Sequence, residues 1–194
     1  MPRFCAGGGR RAVIMTSAAL GTCLGLTPLL AWADVVSSAA GGFVLRIEIP
    51  LSAAPADAYS KFFDVGRWWS DLHTYTGKAS NLSLKNEPGA CFCESLPNGG
   101  FVRHASLEYS DKGKVARLSG ALGPLQELGA HGLLAFTFIQ ADKVIAAAGT
   151  KLVVTYVVSG YQPGKGFEPL AAPVNQMLTE QVTRLKRFVE TGKP

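Results

Sequence analysis

Between residues 80 and 159 the chain breaks into short apolar runs separated by turns, and this rhythm constrains the fold more than any other feature. Strand-length runs occupy 80–86, 90–96, 100–109, 114–122, 133–141 and 149–159. Glu87-Pro88-Gly89, Pro97-Asn98-Gly99-Gly100 and Ser110-Asp111-Lys112-Gly113 separate them with the residues that tight turns require. Gly123-Pro124 opens a longer link that ends at Gly132. Six strands joined in this way predict an antiparallel meander.

The flanking segments supply what the meander packs against. Phe43, Leu45, Ile47 and Ile49 alternate with Arg46 and Glu48, the pattern of a half-buried strand. A helix is expected over 54–64, with Pro55 in its first turn and Ala58, Tyr59, Phe62 and Phe63 on one stripe. Arg67-Trp68-Trp69-Ser70 reads as a turn or second short helix. Two adjacent tryptophans cannot share a helix face, so one is expected inward and the other near the surface or a cavity mouth. Val174, Leu178, Val182, Leu185 and Val189 form the stripe of a closing helix of about 18 residues, with Pro173 near its start and Gly192 at its end. The expected order is strand, two helices, six strands, helix. This is an α+β fold: a curved seven-stranded antiparallel sheet wrapped on a long C-terminal helix. Such a sheet does not fill its interior with its own side chains, and the gap suits a small apolar molecule.

The first 33 residues read as an export signal. Arg3, Arg10 and Arg11 precede an apolar run from Ala12 to Leu30, and Ala31-Trp32-Ala33 is a small-x-small cleavage site. Arg10-Arg11 also fits the signal that exports folded proteins, with the general route as the alternative. Cleavage after Ala33 predicts a periplasmic or secreted protein with no stable membrane span, a flexible lead-in over 34–42 and one domain over 43–194. It removes three arginines and no acid, lowering the formal net charge from +5 to +2. No basic cluster beyond Arg184, Lys186 and Arg187 on the last helix remains, so the electrostatic case for nucleic acid fails.

The order of elements, together with four motifs, resembles the START-like helix-grip superfamily (SRPBCC). That group includes polyketide cyclases, lipid-transfer domains and homologues of the activator of the ninety-kilodalton heat-shock chaperone ATPase. The motifs are Val65-Gly66-Arg67-Trp68-Trp69, Asn86-Glu87-Pro88-Gly89-Ala90, Leu118-Ser119-Gly120-Ala121-Leu122-Gly123-Pro124-Leu125 and Gly149-Thr150-Lys151-Leu152-Val153-Val154-Thr155-Tyr156. Ala90 stands where the family usually has a second glycine. The resemblance implies a ligand cavity between sheet and last helix, and it places Tyr156 beneath that helix. It covers catalysts, carriers and surface-acting modules alike, so it leaves the use of the cavity open.

Candidate ligand-binding residues are Trp69, Cys91, Cys93, His104, Tyr156 and Leu178. His104 and Arg103 lie on opposite faces of one strand, so at most one of them meets the cavity. Cys91 and Cys93 share a face, and bridging such close neighbours strains disulfide geometry, so free, shielded thiols are expected. The opposite face carries Phe92 and Glu94. An inward glutamate is costly unless paired, which favours inward cysteines. No nucleophile elbow, H-E-x-x-H, phosphate loop or dinucleotide fingerprint is present, so no catalytic set, metal or cofactor is expected.

Overall fold

In the computed structural model, residues 32–142 and 149–194 are described, and eight strands among them form one antiparallel sheet. The strands are β1 Trp32–Ala39, β2 Gly42–Leu51, β3 Leu82–Ser83, β4 Cys91–Ser95, β5 Phe101–Asp111, β6 Val115–Ser119, β7 His131–Gln140 and β8 Thr150–Ser159. Their order across the sheet is β1-β2-β8-β7-β6-β5-β4-β3. After β2 the chain crosses to the far edge through α1 Pro55–Phe62 and α2 Val65–Trp68, then returns strand by strand until β8 lies beside β2.

The eighth strand corrects the expected seven. Residues 34–42, expected as a flexible lead-in, form most of β1 and the turn into β2. Ala33 pairs with Ile47 and Val35 with Leu45, past a bulge between Val35 and Ser37. Asp34 to Ala39 are all exposed, and small polar residues suit such an edge strand. Of the export signal expected over 1–33, residues 1–31 lie outside the described residues, while Trp32 and Ala33 open β1.

The expected strand over 80–86 shrinks to the two residues of β3, preceded by a 3-10 turn at Ala79–Asn81. Its far end is held by side chains rather than by a ladder. Asn86 Oδ1 accepts from Tyr59 of α1 at 3.2 Å and from Ser110 of β5 at 2.7 Å.

The closing helix α3, Glu168–Thr191, has 24 residues and starts before the expected boundary, with Pro173 inside it. Pro173 lacks the N–H that the carbonyl of residue 169 would accept. The start is set instead by Phe167, which is fully buried and whose N–H reaches the carbonyl of Ala40. Gly192 closes the helix in the left-handed conformation (φ 79°) and returns its N–H to Phe188.

The stripe lands as the spacing requires. Leu178, Val182, Leu185 and Val189 are buried in the core that the helix shares with the sheet, with Gln181 and Phe188 beside them. Gln181 Oε1 accepts from Ser70 N at 2.8 Å, and Arg184 Nε donates to Trp68 O at 2.9 Å. The helix therefore clamps the tryptophan turn. Among the described residues, no helix is long and apolar enough to cross a membrane.

Candidate ligand cavity

Beside the N-terminal half of α3 a cavity of about 500 Å³ remains. Leu170, Pro173, Val174 and Met177 of α3 form one wall. The loop at 122–128 faces them with Leu122, Pro124, Leu125 and Leu128. Trp69, Phe92 and His104 form the base, and Leu72 and Tyr75 lie at the exposed mouth. The volume lies within the range of small-molecule sites.

Trp68 and Trp69 are both buried, so the second tryptophan lies deeper than the surface or cavity-mouth position expected from the sequence. Trp68 sits in the core, with Nε1 donating to Phe62 O at 2.9 Å. Trp69 packs edge-on to Phe92 at 5.3 Å and donates Nε1 to His73 O, so it offers the cavity its apolar ring.

A bulge positions His104. Along β4 the pairing moves one residue, from Phe92 to Cys93. Along β5 it moves two, from Ala105 to Arg103, so His104 is the extra residue. A bulge re-aims a side chain, and here His104 and its neighbour Ala105 are both buried while Arg103 stays exposed. The simple alternation separates Arg103 from His104 correctly but does not show the bulge.

The inward face of β4 reverses the expectation. Phe92 and Glu94 point inward; Cys91 and Cys93 lie half-buried on the other face and line no part of this cavity. They are also joined by a disulfide rather than free, with Cα atoms 5.2 Å apart, inside the span a disulfide bridges. The penalty that argued against an inward glutamate is met by hydrogen bonds. Thr76 N donates to Glu94 Oε1 at 2.7 Å, Tyr75 N donates to Oε2 at 3.0 Å, and His104 Nε2 lies 3.3 Å from Oε2.

These contacts set the charge states. Burial alone would raise the Glu94 carboxyl, but the bonds from Thr76, Tyr75 and His104 outweigh it and hold the group below the ordinary 4.5. Burial lowers His104 below the ordinary 6.5, against the opposing pull of Glu94. An ionised Glu94 facing a neutral imidazole assigns the proton to Nε2. Nδ1 makes no hydrogen bond among the described residues and remains an acceptor. Burial, then the charges of Glu127 and Glu94, push the Tyr75 hydroxyl upward.

Tyr156 and Leu178 lie elsewhere. The Tyr156 hydroxyl accepts from Leu122 N at 3.0 Å and donates to Gly120 O at 3.3 Å, and burial pushes it up to about 12. A Cβ at residue 132 would collide with its ring, so Gly132 makes room for it. Tyr156 thus ties β8 to the start of the loop at 122–128 instead of lining the cavity. Leu178 is fully buried in the core, one residue beyond Met177, which does line the cavity.

Glu94, Glu127 and the loop at 122–128 were not among the sequence candidates. The apolar residues of Leu122-Gly123-Pro124-Leu125-Gln126-Glu127-Leu128 in an otherwise turn-like link are the signal that could have found the loop. Among the described residues, no group of three or more His, Cys, Asp and Glu side chains is arranged to hold a metal ion.

No protein-family model matches the chain, and no curated protein matches it. Solved structures share its architecture. A conserved protein of unknown function from Enterococcus faecalis aligns over 84% of this chain and 79% of its own, with TM-score 0.54 and 12% identity. CalU16 from Micromonospora echinospora aligns over 84% and 87%, with TM-score 0.50 and 13% identity. An uncharacterized protein from Rhizobium leguminosarum aligns over 82% and 97%, with TM-score 0.50 and 18% identity. At these identities the likeness is one of fold, an antiparallel sheet gripping a C-terminal helix.

Proposed function

We propose that this chain is an exported START-like (SRPBCC) protein that binds a small apolar or amphipathic molecule between the sheet and α3. The observation that carries the reading is the cavity itself: about 500 Å³, walled mainly by apolar side chains, with a few polar groups such as His104 and Tyr75 to set orientation. Burial of apolar ligand surface, worth about 25 cal/mol per Å², drives binding. The sequence signal over 1–33 and the Cys91–Cys93 disulfide support export, since disulfides persist in oxidising compartments.

The test is native mass spectrometry of the protein purified from the cells that produce it, followed by denaturation and identification of what is released. A stoichiometric apolar compound is expected. A clean unliganded mass, with no thermal shift across lipids and aromatic metabolites, overturns the reading in favour of a module acting through its surface.

One observation favours a second reading, an enzyme of the cyclase or hydratase type. A buried carboxylate that orients a neutral histidine at a cavity wall is the arrangement of a general base. In that case His104→Ala abolishes turnover of the released compound and retains its binding. Equal turnover by the variant discards the enzyme.

A further inference from the structure

Resting on the binding reading above, the geometry points to a narrower ligand class: an uncharged apolar molecule carrying one O–H or N–H donor, received by Nδ1 of His104, with anionic amphiphiles such as fatty carboxylates excluded. Glu94 fixes His104 through Nε2, and the bulge brings the ring to the cavity wall. The nitrogen left for a ligand is an acceptor. A ligand acceptor brought against it would leave two lone pairs facing each other in an apolar setting, whereas a donor completes the site.

The rest of the wall agrees in charge. Among the described residues, no Lys or Arg lines the cavity. Its acidic side chain is Glu127, and the ionised Glu94 lies directly behind His104. His73, the other histidine on the wall, has Nε2 against Glu180 at 3.1 Å. The Trp69 N–H and the Thr74 hydroxyl are spent on the carbonyls of His73 and Asp71, and the Tyr75 hydroxyl lies on the exposed mouth within the field of Glu127 and Glu94. A carboxylate entering here loses its water, meets two negative charges and finds no cation.

Two probe series of matched shape test this on the purified full chain by calorimetry. One is decanol, decyl methyl ether and decanoate; the other is naphthol, methoxynaphthalene and naphthoate. In at least one series the hydroxyl compound is expected to bind about tenfold tighter than its ether, and tighter still than its carboxylate. In His104→Phe the hydroxyl and ether are expected to bind alike. Binding of the carboxylate as tight as that of the alcohol overturns the donor rule and leaves the binding reading standing. An alcohol-to-ether ratio unchanged in His104→Phe removes His104 from it. Binding by none of the six probes counts against the reading itself. Nitrogen NMR of the wild-type protein gives a readout that needs neither variant nor ligand: His104 is expected to be protonated at Nε2 and bare at Nδ1, and the opposite tautomer overturns the proposal.

Discussion

Glu94 shows how one residue can be unfavourable by type and favourable by context. Its carboxylate is wholly buried, yet two backbone N–H groups and one imidazole surround it. Glu94→Ala removes the acceptor and strands those three donors. Breaking a buried charged network in this way is expected to cost about 3–5 kcal/mol, read as a lower urea midpoint. A loss below about 1 kcal/mol would mean that water replaces the carboxylate easily. The same residues set the acid response. The folded state keeps His104 neutral below the ordinary 6.5, so the unfolded chain takes up that proton first as pH falls. That contribution is complete above pH 6.5 and drains below it. The Glu94 contribution is complete above 4.5 and is lost on further acidification. Both act in one direction, so the urea midpoint should fall as pH drops below 6.5, and less steeply in His104→Phe. Tyr156 acts oppositely. Its folded value, raised from 10.0 to about 12, favours the neutral hydroxyl, so its contribution is complete below pH 10 and lost as pH rises towards 12. Tyr156→Phe should cost about 1–3 kcal/mol at neutral pH, because Leu122 N loses its buried acceptor.

At the scale of the element, α3 separates two jobs on adjacent residues. Leu178 fills the core, while its neighbour Met177 faces the cavity. Leu178→Ala should cost about 2–5 kcal/mol, as core truncations do, whereas Met177→Ala should cost less and enlarge the cavity. Denaturation of the two variants, with binding of a bulkier ligand to the second, checks this division; equal losses would contradict it. The helix, the meander and the tryptophan turn were legible in the sequence, because each rests on local periodicity or turn chemistry. Strand β1 was not, since an edge strand needs little apolar pattern and Val35 and Val36 stand exposed on it. The inward face of β4 was not legible either. The donors that reconcile Glu94 with burial are backbone groups of a distant loop, and backbone groups leave no trace in residue type. Trp69 and His104 were readable as candidates, but what aims His104 is a bulge set by pairing between two strands. The disulfide belongs to this scale as well. It closes a loop of a few residues, so the entropy it removes from the unfolded chain is worth about half of the ~3 kcal/mol of a fifteen-residue loop.

At the scale of the whole molecule, the sheet holds one filled region and one unfilled region under the same helix. The C-terminal half of α3 is sealed by Val182, Leu185, Phe188 and Val189, and the N-terminal half stands over the cavity. An occupant would therefore bridge α3 and the loop at 122–128, which face each other across that space. A ligand that binds only the folded chain stabilises it by mass action, by about 2.7 kcal/mol at a hundredfold excess over its dissociation constant. For a chain of this size that corresponds to a rise of roughly 5–10 °C in melting temperature. The denaturant slope should stay unchanged, because the surface exposed on unfolding is still that of the protein. Hydrogen exchange should slow at 122–128 and in the first turns of α3, and hardly at all in its last turns, which are already sealed. A thermal shift with protection spread evenly over both halves of α3 would place the ligand somewhere other than this cavity. Protection confined to the first half would tie binding to the region that the protein's own side chains leave empty.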